Sequence, residues 1–159
     1  MKVLNKKPKL IVFDMMGVIF LKGNFAQHIK NKFPKKSLNE IKDRYKLFAT
    51  NKVSRKDFWG DISKDMNKDE SIFLKQFKVD QEFWPVIKDI RKNYRTAILS
   101  NIPGRWKRVL LDKYKIENNF DFKIFSYKVK MAKPDKNIYT FLISKTKYSP
   151  EDIFIVDDK

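Results

Sequence analysis

Cysteine is absent from the 159 residues. That excludes disulfide bonds and cysteine-ligated metal, and nothing points to an oxidising compartment. Histidine occurs once, at His28, in a polar stretch with no partner motif, so it reads as a surface residue rather than a catalyst. No run approaches the roughly 18 apolar residues that a membrane span needs. The stretch from Met1 to Lys22 mimics a signal peptide, with Lys2, Lys6, Lys7 and Lys9 before mostly apolar residues. Asp14 inside the apolar part, and the lack of a small-residue cleavage site after it, argue against export. The expectation is a cytoplasmic protein with no membrane partner. Internal repeats and low-complexity tracts are also missing.

Arginine is scarce. Of 36 basic residues only 6 are arginine, and the formal charge is +17. Rigid bidentate readout of phosphates is therefore not the design. Residues 1–80 hold 19 basic and 9 acidic side chains, and residues 81–159 hold 17 and 10. The excess is spread along the chain, with modest clusters at Lys6 to Lys9, Lys30 to Lys36 and Lys128 to Lys136. A lysine-rich solvated surface accounts for this distribution, and nucleic acid is not the expected partner. The charge still attracts anionic ligands and makes their binding salt-sensitive.

Apolar runs of strand length punctuate the chain. Leu10 to Phe13 is a continuous apolar run rich in β-branched and aromatic residues, as in a central parallel strand covered on both faces. Residues 23–80 then turn polar and helix-patterned. Ser37 and Glu40 form a capping box that opens a helix to about Phe48. Ser54 is a second N-cap before Phe58, Trp59, Ile62 and Met66 at helical spacing, and Ile72, Phe73 and Phe77 suggest one further helix. From Gln81 strands and helices alternate. A helix over about 82–93 precedes a strand Thr96–Ser100, and Pro103 starts a helix to about Lys115. A strand at Lys123–Ser126 follows, then a helix from Pro134 to about Lys145 and a strand Ile153–Val156. Such alternation predicts an α/β fold, a Rossmann-like parallel sheet with right-handed crossovers and helices on both faces.

Four motifs fall at the ends of these strands: Asp14 with Met15, Met16, Gly17 and Val18; Ser100 with Asn101; Lys133, Pro134 and Asp135 with Tyr139; and Asp157 with Asp158. Each alone has a plain structural reading. An aspartate after a strand is a turn former, a Ser–Asn pair before proline opens a helix, and a Lys–Pro pair means little among 30 lysines. Together they gather three carboxylates, a hydroxyl, an amide and a lysine at the carboxyl edge of the sheet, where open α/β folds bind ligands. That is the inventory magnesium-dependent phosphoryl transfer needs.

In this order the motifs resemble the haloacid dehalogenase superfamily, specifically its subfamily with a helical cap inserted after the first strand (the C1 type). The stretch Lys52 to Trp59 also resembles a segment common in that subfamily, and the similarity covers almost the whole chain. The resemblance implies an α/β core over residues 1–22 and 81–159, with a small helical cap over 23–80. It implies that Asp14 is a nucleophile attacking phosphorus, and that Lys133 holds both the nucleophile and the transferring phosphoryl group. Mg²⁺ would be bound by Asp14, the backbone carbonyl of Met16 and Asp158, with Asp157 beside Asp158 as an outer partner; oxygen ligands suit this hard cation. Ser100 and the backbone N–H of Asn101 would donate to phosphate oxygens, and the turn freed by Gly17 would add an anion nest. The implied substrate is a small phosphorylated metabolite.

Two departures stand out. Phosphatases of the family carry an aspartate two residues after the nucleophile, which protonates the leaving group and then activates water. Here that position is Met16, which does neither, and such help typically contributes about 10²–10⁴-fold. Family members also continue past the acidic pair with a helix and usually another strand, so the end at Lys159 reads as a C-terminal truncation that leaves Asp158 near a fraying terminus. Two other readings stay open. One is a non-catalytic member of the same fold that binds anionic or phosphorylated partners. The other is a 2-haloacid dehalogenase, which also lacks that aspartate, although those enzymes need no magnesium and lack the paired acids retained here. The sequence names neither the substrate nor an oligomeric state.

Overall fold

The computed structural model describes residues 7–21, 29–31, 37–60 and 62–158. His28, most of the Lys30 to Lys36 cluster and Lys159 lie outside them. Four parallel strands form one sheet, β1 (Leu10–Phe13), β2 (Arg95–Ser100), β3 (Phe122–Phe125) and β4 (Ile153–Val156), in the order β3-β2-β1-β4. β1 is central, with Phe13 in register with Ile98 of β2 and Val156 of β4. β1 and β4 therefore end level, and β2 runs two residues further to Ser100.

Successive side chains of a strand face opposite sides, and β1 shows the consequence. Leu10 and Val12 pack with Ala97, Leu99 and Ile124 against Ile138 and Leu142 of α7 (Lys136–Thr146). Ile11 and Phe13 join the larger cluster on the other face. That face is covered by α4 (Phe83–Ile90), α5 (Gly104–Lys107) and the helices between β1 and β2, namely α1 (Leu38–Ala49), α2 (Arg55–Trp59) and α3 (Met66–Leu74). The short α6 (Ser126–Val129) follows β3. The fold is α/β and Rossmann-like, with helices on both faces as the strand–helix rhythm predicts. None of the helices among the described residues is long and apolar enough to cross a membrane.

The segment between β1 and β2 leaves and returns side by side. Phe20 bridges antiparallel to Val79, and the Leu21 N–H donates to the Lys78 carbonyl at 2.8 Å. Its aromatics do not form a separate core among the described residues. Phe48, Phe58 and Phe73 ring Trp106 of α5 at centroid distances of 5.9, 6.5 and 4.9 Å.

Several element boundaries differ from the sequence expectation. The helix predicted from Ser54 through Met66 is broken. Ser54 and Asp57 form a reciprocal capping box, α2 ends at Gly60, and Asp65 caps a new helix by accepting the Lys68 N–H at 3.1 Å. The apolar spacing across the break arises because both short helices face the same cluster. The helix predicted to Lys115 does end there, with Lys115 at φ 51°, but it widens into a π-helical turn over Arg108–Asp112 before one last α-helical pair at 113–114. α7 begins two residues after Pro134, because Asp135 is its cap and accepts the Asn137 N–H at 2.9 Å.

Candidate active site

Asp14 is the first residue past β1, and its own N–H continues the ladder to the Val156 carbonyl at 2.9 Å. Asp157 and Asp158 follow β4 at the same level. One carboxylate oxygen from each of these three aspartates can be chosen so that all lie within 4.8 Å of one another. Lys133 enters from the loop before α7. Its Nζ is 2.9 Å from Asp14 Oδ2 and 2.6 Å from Asp157 Oδ2, and both the lysine and Asp14 are about nine-tenths buried. The other Asp14 oxygen accepts the Met15 N–H at 2.6 Å. Three carboxylates thus converge, two of them on one ammonium. Like charges this close repel, and a divalent cation would relieve that repulsion with the oxygen ligands it favours.

Gly17 sits at φ +81°, a region side chains rarely adopt. A Cβ there would lie 2.7 Å from Asp158 Oδ2, so the glycine lets the acidic ligand candidate approach the turn. Of the Met15–Gly17 N–H groups expected to form an anion nest, that of Gly17 donates to the Phe20 carbonyl at 2.9 Å and that of Met15 to Asp14 Oδ1, because the turn folds back on itself to bridge Met16 and Phe20.

Ser100 ends β2, next to β1. It is 1 % exposed, and its Oγ is buried without a hydrogen-bond partner. Leaving such a hydroxyl unpaired costs about 1–3 kcal/mol, which a ligand oxygen would recover. Asn101 contributes more than the backbone donor the sequence suggested. Its side chain grips the backbone of Lys133 at both ends, Nδ2 donating to the Lys133 carbonyl at 2.8 Å and Oδ1 accepting the Lys133 N–H at 2.9 Å. Of the Lys–Pro–Asp motif, only the lysine reaches the site. Asp135 caps α7 and Tyr139 packs on the far face of the sheet.

Two residues escaped the sequence reading. Tyr45 of α1 donates its hydroxyl to the Asn101 carbonyl at 2.9 Å, and its ring lies 5.5 Å from Trp106. Burial raises the pKa of this hydroxyl far above the usual tyrosine value, and the charge of Asp14 adds to the shift. Tyr45 stands four residues after Ile41 and three before Phe48, and that position on the buried stripe was the available signal. Glu70 of α3 is the second. It is 1 % exposed and takes Arg55 Nε at 2.9 Å, Arg105 Nε at 2.7 Å, and the indole N–H groups of Trp106 at 2.7 Å and Trp59 at 3.4 Å. Burial pushes its carboxyl up, but the donors from Arg55, Trp106 and Arg105 more than offset this and leave it below the usual glutamate value. A separate groove of about 350 Å³ is lined by Lys46, Leu47, Thr50, Lys130 and their neighbours. Those positions fall on the side of α1 turned away from Tyr45, so the groove is not the Asp14 site.

With this geometry in place, comparison with known proteins is informative. Residues 8–159 match the family described as "Hydrolase: haloacid dehalogenase-like hydrolase". Among solved structures, the chain resembles the HAD family enzyme bt-2542 from Bacteroides thetaiotaomicron, with a TM-score of 0.81 and 17 % identity over 97 % of this chain and 86 % of that one. That protein has also been solved with magnesium and inorganic phosphate. A predicted HAD-like family hydrolase from Porphyromonas gingivalis gives 0.75 and 21 % over 97 % and 83 %. The 2-haloacid dehalogenase from Pseudomonas syringae pv. Tomato DC3000 gives 0.64 and 12 % over 96 % and 78 %. At these identities the likeness to solved structures shows the fold.

Proposed function

The chain belongs to the haloacid dehalogenase-like hydrolases, and from that premise we propose that it is a magnesium-dependent phosphatase of small phosphomonoesters, working through an aspartyl-phosphate on Asp14. The observation that carries this reading is the cluster of Asp14, Asp157 and Asp158, the first two on the single ammonium of Lys133. A similar fold solved with magnesium and inorganic phosphate supports it.

The residues present fit the ion. Asp14, Asp158 and the Met16 carbonyl would hold Mg²⁺, and Gly17 keeps the turn close to Asp158. When bound, the ion neutralises charge on the phosphoryl oxygens so that an anionic nucleophile can approach. Asp14 attacks phosphorus, forming a P–O bond to its carboxylate as the bond to the leaving alkoxide breaks. Lys133 keeps Asp14 oriented and faces the transferring oxyanion. The Ser100 hydroxyl donates to a phosphate oxygen, which satisfies a group otherwise buried alone. Water then cleaves the aspartyl-phosphate and releases phosphate. Met16 supplies no proton to the alkoxide and no base to the water, so turnover is slow and the covalent intermediate is long-lived.

Residues 23–80 act as the cap. The substrate's leaving group sits between the sheet's carboxyl edge and α1, in a site that excludes water. Phosphate release from p-nitrophenyl phosphate, with and without magnesium, tests the reading. Release that needs both Mg²⁺ and Asp14 supports it. Halide release from a 2-haloacid without metal would favour the dehalogenase, and salt-sensitive anion binding with no turnover would favour the non-catalytic binder.

A further inference from the structure

The peptide group joining Asn101 to Ile102 is held at both polar ends by the same helix of the insert. Its carbonyl accepts the Tyr45 hydroxyl at 2.9 Å. Its N–H donates to Ser126 Oγ at 2.9 Å, and that hydroxyl donates in turn to the Ala49 carbonyl at 2.6 Å. Tyr45 and Ala49 are one turn apart on α1. Ser126 is fully buried and begins α6, on the core side.

The orientation of that peptide decides where the Asn101 side chain lies. The side chain makes two hydrogen bonds to the backbone of Lys133, one to the N–H and one to the carbonyl. Lys133 in turn sets Asp14 and Asp157 through Nζ. A continuous set of hydrogen bonds therefore runs from α1 through Asn101 to the candidate nucleophile. The Tyr45 hydroxyl is desolvated and lies in the field of Asp14, so it stays neutral and donating.

We propose that Tyr45 and Ser126 are positioning residues, through which the docking of α1 against the core fixes Asn101 and hence the alignment of Lys133 with Asp14. The kinetic consequence rests on the phosphatase reading; the structural coupling does not. Insert and site form one cooperative unit, so a loosened α1 degrades the chemistry even though α1 supplies no attacking group.

Amide hydrogen exchange of the full chain, followed by NMR, tests the coupling without any activity. Tyr45→Phe keeps the ring against Trp106 and removes only the hydroxyl. It is expected to speed exchange at the Ile102 and Lys133 amides by about three- to tenfold, the worth of one net hydrogen bond, while amides of β1 stay unchanged. A merely structural role would speed β1 and the loop together, or alter only residues 38–49, and either result overturns the proposal. Ser126→Ala gives the second reading, with the same two amides responding. Phosphate release from p-nitrophenyl phosphate supplies the kinetic arm. kcat falls about three- to tenfold in Tyr45→Phe with KM unchanged, and adding Tyr45→Phe to Asn101→Ala costs nothing more. Independent, multiplying losses would show that Tyr45 does not act through Asn101. If the native chain releases no phosphate, the phosphatase reading fails while the exchange result still decides the coupling.

Discussion

Two buried charge clusters in this molecule are built on opposite principles. Around Glu70, one carboxylate meets two guanidinium groups and two indole N–H donors. Around Lys133, one ammonium meets the carboxylates of Asp14 and Asp157, with Asp158 within 4.8 Å of both and a buried, unpaired serine hydroxyl at the end of the neighbouring strand. The first cluster is satisfied and joins α2 and α3 to α5. The second gathers three acids within reach of one another and keeps a buried donor that a ligand can complete. Buried polar groups are normally paired, so the unpaired Ser100 hydroxyl marks a place for a ligand and the satisfied Glu70 marks architecture. Both clusters touch the insert, one through Glu70 and the other through Tyr45, which explains why the insert shares the sheet's hydrophobic cluster.

Substitutions that break this contrast are ranked by expected effect. Asp14→Asn removes the nucleophile and lowers magnesium-dependent phosphate release by more than about 10⁴-fold, while the thermal midpoint holds or rises because a repelling charge is gone. Steady-state kinetics beside a melting curve separates the two effects. Met16→Asp sharpens the contrast in the other direction. It supplies the missing proton donor and base and is expected to raise kcat by about 10²-fold or more, read in the same assay.

Glu70→Gln reverses the pattern. Removing the carboxylate charge leaves Arg55 and Arg105 without their counter-ion at this node, and because Arg105 is half exposed and screened by solvent the cost is about 1–2 kcal/mol of stability. A urea titration reads this as a lower midpoint, while the folded fraction retains its rate per molecule. The smallest effect is the pH dependence of the same node. The Glu70 pKa in the fold lies below its ordinary 4.5, so the ionised form is the stabilised one. Its contribution is complete above 4.5 and is lost as pH falls below that value through the folded pKa. Native protein should show this extra acid sensitivity in its urea midpoint, and Glu70→Gln should lack it.

The sheet and the meeting of Asp14, Lys133, Asp157 and Asp158 were legible in the sequence because both rest on local patterns. Leu10 to Phe13 and Ile153 to Val156 are both strand-like apolar runs, each followed by aspartate, but only the first is buried throughout; β4 ends the sheet order and leaves Phe154 and Ile155 exposed. The break between α2 and α3 was hidden because Phe58, Trp59, Ile62 and Met66 keep helical spacing across it while facing one cluster. Gly17 was placed correctly at the turn, but its task is steric, and the sequence does not show how close Asp158 comes. Glu70 and Tyr45 draw their importance from partners 36 and 56 residues away. Lysine-rich surroundings gave no hint that one glutamate in α3 is buried or that one tyrosine in α1 reaches Asn101.

The central claim is covalent: Asp14 takes the phosphoryl group from the substrate. With Met16 in place of an acid–base group, that acyl phosphate should hydrolyse slowly and accumulate. Acid quenching of the protein during turnover with p-nitrophenyl phosphate and magnesium, followed by peptide mass spectrometry, should find one phosphoryl group on the peptide containing Asp14, and none when magnesium is omitted. Phosphate release with no such adduct at any quench time, or the same adduct in Asp14→Asn, would contradict the account.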